Sequence, residues 1–491
     1  MSSDWLAWRA AATPQALAIV TPQGGWSYAR LHAAADAWAA YLLREGLEPG
    51  QRVALALTPT PQAIALWHGV WRAGLTPLLL HLRFAPHEHA RVLQAVRPAT
   101  VLATPEARAR LRLPAEVTTW ALPPTPPRPT APVPPAPGPR EALLLTSGTT
   151  QGPKIARLTA ANFFWSALAS SYRLGVLPAD RWLLTLPLYH VGGLSVVLRS
   201  ALYGTAIALP EPRPSFDPAG LWEDLARLQA TLVSLVPTML YRLLRATEGQ
   251  NLPGHVRVLL VGGAAAGPQV LAWARERGWP VALTYGLTEA ASQVATARPD
   301  LVQRKPGTVG RPLLGLEVQV RGPAGAVLPP GQVGEIWARG PQVFAGYWGH
   351  PQATARALTP EGWLRTGDAG YVDQEGHLWV LARREDLIVT GGENVAPQEV
   401  EDVLRAHPAV ADAAVVGLPD AEWGQVVAAA VVLKPGQQVT VKALQQHCRA
   451  RLAGYKVPRR VAFVAGLPRT ASGKVRRAAV RAAWPTPEDD A

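Results

Sequence analysis

The order of apolar and polar segments in the first part of the chain predicts alternating strands and helices. Arg52–Leu57 is a short, almost wholly apolar run, which is typical of a buried strand. Pro61–Ala73 is longer, mostly apolar and begins with proline, a residue favoured in the first turn of a helix. Thr76–Leu80 is a second short apolar run. Strand, helix and strand in this order form a βαβ unit, so we expect a parallel sheet covered by helices.

Three further apolar runs end in turns rich in glycine. Ala142–Leu145 leads into a Gly/Thr-rich loop, Val256–Val261 ends at Gly262-Gly263, and Val281–Tyr285 ends at Gly286. Open α/β sheets bind their ligands at the carboxyl ends of the strands. The sequence therefore predicts a ligand site at these turns.

The composition changes twice along the chain. Leu122–Pro139 is dense in proline, which indicates a stiff, exposed connector rather than a helix or an inner strand. From about Gly307, short alternating runs such as Leu316–Val320 and Gly334–Arg339 are separated by Gly/Pro turns. These runs predict a small β-rich subdomain.

The last part of the chain has its own set of predicted elements. Strands are expected at Ala413–Val416 and Val426–Val432, and a helix near Val441–Leu452. A charged run, Arg383–Asp386, precedes them. We therefore predict two domains, residues 1–382 and residues 383–491.

Charge and cysteine content narrow the class of protein only slightly. The net charge of +13 first suggests nucleic-acid binding, but the basic residues are scattered and form no block, so we expect no nucleic-acid partner. A compositional bias, or attraction of anionic small molecules, explains the charge equally well. The single Cys448 excludes an intrachain disulfide and fits a reducing compartment. With neither a signal peptide nor an apolar run of membrane-spanning length, we expect a cytoplasmic protein. The sequence does not fix the oligomeric state, and a homodimer stays open.

One loop has the residue types that bind phosphate. Leu143–Lys154 reads LLLTSGTTQGPK, which offers backbone N–H groups, hydroxyls and one cation after a strand. The spacing of Gly148, Gly152 and Lys154 does not fit a Walker loop. Taken alone, the segment is equally compatible with an ordinary flexible turn.

Further motifs in a fixed order decide between these readings. They are TSGTTQGPK at Thr146–Lys154, PLYHVGG at Pro187–Gly193, VGGAA at Val261–Ala265, TYGLTEA at Thr284–Ala290, GEIWARG at Gly334–Gly340, GWLRTGD at Gly362–Asp368, RREDLIVTGGENVAPQEVE at Arg383–Glu401 and PRTASGKVRR at Pro468–Arg477. This series resembles the superfamily of acyl- and aryl-CoA synthetases, luciferases and nonribosomal adenylation domains. The resemblance implies a large N-terminal α/β domain with two mixed or parallel sheets flanked by helices, a small β-barrel-like subdomain, and a small mobile α+β C-terminal domain.

The resemblance also implies ATP, Mg²⁺ and coenzyme A as cofactors or co-substrates. The residues expected to contact ATP are Thr146, Ser147, Gly148, Thr149, Thr150, Lys154, Gly262, Gly263, Ala264, Tyr285, Gly286, Asp368 and Arg383. Thr288 is expected to contact the α-phosphate and Glu289 to coordinate Mg²⁺, for which a carboxylate is a suitable ligand. Such a site holds the α-phosphorus in line with a substrate carboxylate and stabilises the charge of the transition state.

Residues in the predicted C-terminal domain are given mechanistic roles by the same resemblance. Lys474 matches the family's mobile catalytic lysine, and Asp386 matches its hinge. Gly391, Gly392 and Glu393 lie in the segment expected to line the coenzyme A tunnel. Three positions depart from the family pattern: Gln151, Ile155 and Ala382 stand where glycine is usual. These departures put turnover in doubt rather than the fold.

The acid pocket is expected near the apolar segment Val191–Leu209, which contains one cation, Arg199. Arg199 either reaches solvent or pairs with a structural acid, or it binds a second carboxylate on the substrate through its guanidinium fork. His190 is expected against the acyl group. This segment and the Ser292-Gln293 pair are similar to the o-succinylbenzoate–CoA ligase subfamily, whose substrate is an aromatic dicarboxylate used in menaquinone biosynthesis.

Other classes stay open from the sequence alone. The same chemistry serves other aryl or short-chain acyl-CoA synthetases, and stand-alone enzymes that load a carrier protein. A luciferase-like oxygenase needs a particular acid that no motif reveals. A non-catalytic homologue is disfavoured because Lys474 and Glu289 are both present. His87 and His89 flank Glu88, but nothing nearby in the sequence completes a zinc site.

Overall fold

The computed structural model describes residues 4–484 except positions 112, 114–116, 118, 124, 127–133, 137, 139, 147–153, 214, 384–385, 391–392, 421–422, 471–472 and 474. The chain divides into two compact units. The first unit comprises Met1–Ala266, Val270–Val318 and Trp337–Arg365, and the second comprises Gly267–Gln269, Gln319–Ile336 and Thr366–Ala491. The predicted domain boundary between residues 382 and 383 stays a prediction.

The helices in the described part of the chain are mostly short, and most of them begin with proline or after a capping Ser or Thr. They are α1 (Trp5–Ala12), α2 (Tyr28–Arg44), α3 (Pro61–Arg72), α4 (Pro86–Val96), α5 (Pro105–Arg108), α6 (Ala160–Leu174), α7 (Val191–Tyr203), α8 (Pro218–Arg227), α9 (Pro237–Ala246), α10 (Pro268–Glu276), α11 (Pro299–Arg304), α12 (Pro351–Ala357), α13 (Pro397–Arg405), α14 (Val441–Arg449) and α15 (Arg477–Ala482).

The strands form several separate sheets. They are β1 (Leu17–Thr21), β2 (Gly24–Ser27), β3 (Arg52–Ala56), β4 (Thr76–Leu79), β5 (Thr100–Ala103), β6 (Thr119–Ala121), β7 (Glu141–Leu145), β8 (Ile155–Thr159), β9 (Arg181–Leu183), β10 (Ala206–Ala208), β11 (Leu232–Leu235), β12 (Val258–Val261), β13 (Val281–Leu287), β14 (Ser292–Ala297), β15 (Glu317–Arg321), β16 (Gly334–Arg339), β17 (Leu364–Val372), β18 (Leu378–Arg383), β19 (Ile388–Thr390), β20 (Glu393–Val395), β21 (Val410–Asp420), β22 (Gly424–Leu433) and β23 (Arg460–Phe463).

Two mixed sheets form the framework of the first unit. The larger runs β14-β13-β12-β11-β9-β10-β1-β2 and is parallel except for its outermost pairs at each edge. The smaller runs β6-β5-β3-β4-β7-β8 and is parallel except for β7 with β8. Strands β3 and β4 pair in parallel with α3 between them in the chain, which confirms the predicted βαβ unit and the α/β fold class.

Helix α3, between β3 and β4, has a capped start and an almost fully buried surface. The Thr60 hydroxyl accepts a hydrogen bond from the Ala63 N–H, and Pro61 occupies the first turn. Nearly every following side chain is buried, including Arg72, whose Nε lies 2.7 Å from Asp36 Oδ1 and whose Nη1 bonds Asp4. A buried arginine on this helix is therefore paired with carboxylates, as its desolvation requires.

Most predicted elements coincide with observed ones, although several observed strands are longer. The strand predicted at Ala413–Val416 extends over β21, and the helix predicted at Val441–Leu452 ends at Arg449. The proline-rich connector at 122–139 falls largely outside the described residues, and its described positions carry neither helix nor strand. No helix in the described part of the chain is both long and apolar enough to cross a membrane.

The second unit contains a three-stranded sheet, β21-β22-β23, with α13 and α14 packed on it. Strands β15-β16-β17-β18 form a separate four-stranded sheet, in the region predicted to be β-rich. This unit gives the chain the smaller α+β part that the resemblance implied. Nothing in the structure tests whether it is mobile.

A network of charged side chains joins α13 to β21 in the second unit. Arg405 bonds Glu401, Asp402 and Asp412 at 3.1 to 3.2 Å. Burial raises the pKa of the Asp402 carboxyl to about 6, and its bonds from Arg405 and Gln398 only partly oppose this effect. Because the folded pKa lies above the usual value of about 3.9, ionising Asp402 destabilises the folded state.

We predict that Asp402→Asn removes part of the pH dependence of stability. The wild-type carboxyl favours folding below about pH 4, and this contribution is lost as the pH rises through about 6. Urea unfolding should therefore show that the free energy of unfolding of the variant, relative to that of the wild type, rises by up to about 3 kcal/mol between pH 4 and pH 7.5. Asp300→Asn, which removes an exposed carboxylate from α11, is the control. A constant difference between wild type and Asp402→Asn across this range would contradict the assignment.

Candidate active site

The predicted phosphate loop is closed by an antiparallel pair of strands. Leu145 of β7 faces Ile155 of β8, and the Thr146 N–H donates to the Lys154 carbonyl at 2.9 Å. Thr146 is buried and lies at the base of the loop. The remaining predicted contacts, Ser147, Gly148, Thr149 and Thr150, and the departure at Gln151, lie outside the described residues.

The departure at Ile155 has a structural explanation. Its side chain is buried in the apolar cluster that also contains Leu143, Leu145 and Leu80. It is a regular strand position with ordinary backbone angles, so a large apolar residue is accommodated there. Ile155 therefore contributes to the core beneath the loop.

Tyr347 joins two of the predicted phosphate-binding residues. Its hydroxyl donates to Glu289 Oε1 at 2.7 Å, and Lys154 Nζ lies 5.1 Å from the centre of its ring. The Phe344 N–H also donates to the Glu289 carbonyl at 2.8 Å. Glu289 and Thr288 occupy a single 3₁₀ turn after β13. The structure thus brings Lys154 and Glu289 together around a tyrosine that the sequence analysis did not single out.

The glycine turns at the ends of β12 and β13 are required by close backbone approach. A Cβ on Gly262 would lie 2.6 Å from Thr284 Cγ2, and one on Gly286 would lie 1.8 Å from the Ser292 carbonyl oxygen. Gly263 adopts a φ of 81°, which favours glycine. Ala264 is exposed after this turn, and Tyr285 is buried on β13. These two neighbouring strands end at one edge of the larger sheet, where the sequence predicted a ligand.

Two consecutive residues beside Glu289 have unusual backbone angles. Ala291 has a φ of 50° and Ser292 a φ of 107°, although neither is glycine. The buried Ser166 hydroxyl donates to the Ala291 carbonyl at 2.7 Å and holds this conformation. Strained backbone of this kind persists where the surrounding structure fixes it, and it is concentrated at functional sites.

Gln293 follows this strained pair on β14 and is buried. Its Nε2 donates to Thr296 Oγ1 at 2.9 Å and to Thr284 Oγ1 at 3.3 Å. Its Oε1 has no hydrogen-bond partner in the described part of the chain. The side chain is therefore fixed at one end while its oxygen is available to a donor.

Arg199 is buried in α7, and no carboxylate of the described residues forms an ion pair with it. It is 3% exposed, and its Nε and Nη2 have no hydrogen-bond partner among the described residues. Its guanidinium carbon lies 5.6 Å from the centre of the Trp182 ring. Burial lowers the pKa of the Arg199 guanidinium, because the charged form loses its hydration. Like Arg72, this cation does not reach solvent; unlike Arg72, it pairs with no carboxylate among the described residues.

Other unsatisfied polar atoms lie on the elements around Arg199. Ser195 is four residues earlier in α7, hence on the same helix face, and its buried hydroxyl has no partner among the described residues. Helix α7 packs against α6 and β14, the strand that carries Gln293. Buried polar atoms are normally bonded to protein, water or a ligand, so each such atom requires an explanation.

His190 occupies the N-cap position directly before α7 and belongs to a group of rings. Its ring centre lies 4.7 Å from that of Tyr189 and 5.5 Å from that of His81. Burial lowers the pKa of His81 to about 4, so this ring is neutral at physiological pH. Because His190 directly precedes α7 and Arg199 lies within it, the two predicted acid-pocket residues belong to one continuous segment of the chain.

The two predicted ribose contacts face each other in the second unit. Asp368 of β17 pairs with Arg383 of β18 in the strand register, and the Asp368 side chain is buried. Ala382 is paired with Ala369 in the same ladder and has ordinary backbone angles. Glycine is not conformationally required at position 382, which accounts for this departure from the family pattern.

The remaining predicted residues are described only in part. Asp386 Oδ2 lies 3.5 Å from Arg477 Nη1. Glu393 begins β20, where its backbone pairs with that of Thr390. Gly391, Gly392 and Lys474 lie outside the described residues, so their roles stay predictions.

The sequence matches known families over most of its length. Residues 6–348 match the AMP-binding enzyme family, and residues 399–474 match the AMP-binding enzyme C-terminal domain. The chain belongs to the AMP-binding enzyme family. This finding confirms the predicted superfamily, and with it the predicted α/β fold of the large N-terminal part of the chain.

Curated relatives of this AMP-binding enzyme match it from end to end. The 2-succinylbenzoate–CoA ligase of Geobacillus kaustophilus (strain HTA426) is 38% identical over 487 residues, which cover 99% of this chain and 98% of the relative. The enzyme of the same name from Bacillus cereus (strain ATCC 14579) is 37% identical over 492 residues, covering 97% and 98%.

Solved structures are equally similar in fold. The o-succinylbenzoate CoA synthetase (MenE) of Bacillus subtilis, in complex with the acyl-adenylate intermediate OSB-AMP, has a TM-score of 0.85 and 33% identity, covering 97% of this chain and 98% of that chain. The amide bond synthetase McbA of Marinactinospora thermotolerans also has a TM-score of 0.85, with 32% identity over 99% and 100% of the two chains. The overall fold alone therefore does not distinguish the acceptor of the acyl group.

We predict that Tyr347→Phe impairs acyl-adenylate formation in this AMP-binding enzyme. The variant loses a hydrogen bond to a carboxylate, an interaction of about 1.5 to 3 kcal/mol, and with it the orientation of Glu289. ATP–pyrophosphate exchange should fall at least about tenfold and the Mg²⁺ requirement should rise. Tyr241→Phe, at a partly exposed tyrosine on α9, should leave both unchanged. Wild-type exchange and Mg²⁺ dependence in Tyr347→Phe would contradict this role.

Proposed function

We propose that this chain is an ATP-dependent acid–CoA ligase that activates 2-succinylbenzoate as an acyl-adenylate and transfers the acyl group to coenzyme A. The observation that carries the choice of acid is Arg199, a buried cation that pairs with no carboxylate in the described part of the chain. A dicarboxylic substrate supplies the missing anion while its other carboxylate reacts. The names of the curated relatives support the same substrate.

In the first half-reaction, the substrate carboxylate must be aligned with the α-phosphorus of ATP, and negative charge on the phosphates must be stabilised. One substrate carboxylate oxygen attacks the α-phosphorus of ATP, the new P–O bond forms, and the bond to pyrophosphate breaks. Lys154, at the base of the phosphate loop, offsets negative charge on the leaving phosphates. Thr288 precedes Glu289 at the carboxyl end of β13, which supports its predicted contact with the α-phosphate.

Glu289 fits the predicted Mg²⁺ site. One carboxylate oxygen accepts the Tyr347 hydroxyl, and the other receives no hydrogen bond from the described residues. Mg²⁺ bound with ATP is commonly held by one or two carboxylates, phosphates and water, which a single oriented glutamate can satisfy. When bound, the ion neutralises phosphate charge; the chain's own contribution is the fixed orientation of Glu289.

In the second half-reaction the thiolate of coenzyme A attacks the acyl carbon and AMP leaves. A good leaving group is necessary because a free carboxylate would have to expel oxide. Gly391, Gly392 and Glu393 remain the predicted lining of the thiol tunnel, and Asp386 the predicted hinge. A cytoplasmic location and a homodimer are likewise predictions.

The activity test is pyrophosphate release by the purified chain with ATP and Mg²⁺. One arm contains 2-succinylbenzoate, and the others contain benzoate, fatty acids or amino acids, each with coenzyme A or with an amine as acceptor. Release and thioester formation with 2-succinylbenzoate are expected. Formation of an amide in preference to a thioester would contradict coenzyme A as the acceptor. Activity with only a monocarboxylate would contradict 2-succinylbenzoate as the acid.

We predict opposite stability changes for two buried arginines. Arg199→Met removes an uncompensated charge, so the free energy of unfolding should rise by about 1 to 4 kcal/mol while KM for 2-succinylbenzoate rises at least about 100-fold. Arg72→Met is the matched control, because it removes the cation that pairs with Asp36 and Asp4. It should lower the free energy of unfolding by about 3 to 5 kcal/mol. Destabilisation by Arg199→Met with unchanged KM would make Arg199 a structural residue.

We further predict that Lys474→Ala separates the two half-reactions. If this lysine stabilises the transferring phosphoryl group, adenylate formation should be nearly abolished. Thioester formation from supplied acyl-adenylate should stay within about threefold of wild type. Lys456→Ala, which removes a lysine bonded to Glu399, is the control. Equal loss of both half-reactions in Lys474→Ala would contradict the assigned role.

A further inference from the structure

Helix α6 presents an apolar face to solvent. Its 15 residues include no acid and one cation, Arg173, in the last turn. Trp165, Leu168 and Tyr172 follow the spacing i, i+3 and i+7, so they lie on one side of the helix. Tyr172 is 77% exposed, Leu168 is exposed and Trp165 is partly exposed. A surface helix normally carries polar residues on its outer side, so this apolar side requires an explanation.

The opposite side of α6 is firmly packed. Phe163 and Ala167 are buried, and the helix packs against α7 and β14. The buried Ser166 hydroxyl donates to the Ala291 carbonyl at 2.7 Å. The helix is therefore held in place from its inner side, and its outer side is a fixed surface.

Two neighbouring segments extend the apolar face of α6. Leu177, in the turn directly after the helix, is 54% exposed. Leu314 is exposed in a loop whose next residue, Gly315, lies beside the helix: a Cβ there would be 3.7 Å from Trp165 Cε3. Single exposed apolar residues are common, whereas a group of them marks an interaction surface. We call this group the α6 patch: Trp165, Leu168, Tyr172, Leu177 and Leu314.

Arginine side chains lie at the edge of the α6 patch. Arg173 Nη2 donates to the Pro312 carbonyl at 3.1 Å, which ties the end of α6 to the loop that carries Leu314. Burial lowers the pKa of the Arg173 guanidinium, and the positive charges of Arg298 and Arg311 lower it further. Arg298 and Arg311 are both exposed. These three cations are therefore close enough to act together on an anion.

The acids of the neighbouring segments do not cancel this charge. Asp300 is shared between Arg298 and Arg304, each at 3.3 Å. Glu317, which follows the loop, pairs with Arg339 at 2.8 Å. Arg173 bonds main-chain carbonyl oxygens, which bring no negative charge. The edge of the α6 patch therefore has an excess of positive charge.

Charge complementarity decides which partner this surface fits. A second copy in a symmetric dimer would bring the same patch against itself, and the excess positive charges would repel one another. An anionic lipid surface satisfies both features of the patch. Tryptophan and tyrosine favour the boundary between head groups and acyl chains, and arginine is attracted to anionic head groups.

We propose that the α6 patch docks the chain on the surface of an anionic lipid bilayer. Leu168, Tyr172 and Leu177 enter the head-group layer, and the arginines at the edge face lipid phosphates. The association is peripheral and reversible. It involves none of the residues to which the proposed function assigns ATP, the acid or coenzyme A, so it can be tested without knowing the acid.

The first test is co-sedimentation of the full chain with lipid vesicles. One set contains phosphatidylcholine alone, and the other contains about a quarter phosphatidylglycerol, which is anionic. The partition coefficient should be at least about tenfold higher for the anionic vesicles at about 0.1 M salt, and it should fall at least about tenfold at about 0.5 M salt. Equal binding to both kinds of vesicle, or no binding to either, would overturn the proposal.

The apolar part of the patch is tested with the double variant Tyr172→Ser and Leu177→Ser. Its partition coefficient on anionic vesicles should fall at least about tenfold, because two apolar side chains no longer enter the head-group layer. The matched control is Tyr241→Ser with Leu17→Ser, which removes an exposed tyrosine and an exposed leucine from α9 and β1. Circular dichroism and thermal unfolding verify that both fold. Wild-type binding by the patch variant would contradict the assignment.

The charged edge is tested with Arg298→Gln and Arg311→Gln together. Binding to anionic vesicles should fall at least about tenfold and depend less on salt, while the weak binding to phosphatidylcholine stays unchanged. Arg242→Gln with Arg245→Gln removes the same charge from exposed positions on α9 and should bind like wild type. An equal loss in this control would assign the binding to net charge and overturn the role of the patch.

Other occupants give different results. Analytical ultracentrifugation that finds a wild-type dimer, and a monomer in Tyr172→Ser with Leu177→Ser, would assign the face to a second copy and overturn the proposal. Binding of polyglutamate without binding of anionic vesicles would assign it to an acidic protein, with the same consequence. Pyrophosphate release with 2-succinylbenzoate should stay within about twofold of wild type in the patch variants. If the wild type is inactive with every acid, only the proposed function fails, and the vesicle measurements still decide the docking surface.

Discussion

Arg199, a buried guanidinium with no carboxylate bonded to it among the described residues, is the constraint on which the proposed acid pocket depends. Burying a cation is costly unless it is paired, and the chain pairs Arg72 with Asp36 and Asp4 in a comparable helix. Among the described residues, Arg199 lies against the Trp182 ring, a weaker partner for a desolvated cation than a carboxylate. A free protein that retains such a charge loses stability, and under the proposed function a dicarboxylate substrate recovers it on binding.

The phosphate side of the site is preorganised in a different way. Glu289 is oriented by Tyr347, and the turn that follows it is held in left-handed backbone angles at Ala291 and Ser292. Ser166 and the tight contact of Gly286 with Ser292 maintain this turn. Because these interactions are made before substrate arrives, less ordering remains to be done during the reaction.

The sequence predicted the elements better than the contacts between them. The βαβ unit at residues 52–80 and the glycine turns at 262 and 286 follow from local pattern, and the structure has them. Tyr347 could not be found this way, because its partners Lys154 and Glu289 are distant in the chain and no pattern around Tyr347 marks them. The left-handed angles at Ala291 and Ser292 were also unpredictable, since neither residue type favours them. Arg199 was identified as a lone cation in an apolar helix, but only the structure shows that no described carboxylate lies beside it.

The most direct measurement is a crystal structure of the chain with a non-hydrolysable analogue of the 2-succinylbenzoyl adenylate. The distance of interest joins the Arg199 guanidinium nitrogens to the unreacted carboxylate of the ligand. The account predicts hydrogen-bonded contact at about 2.7 to 2.9 Å, as expected for a charge-assisted pair. A carboxylate bound elsewhere, with Arg199 still against Trp182 and unpaired, would contradict it.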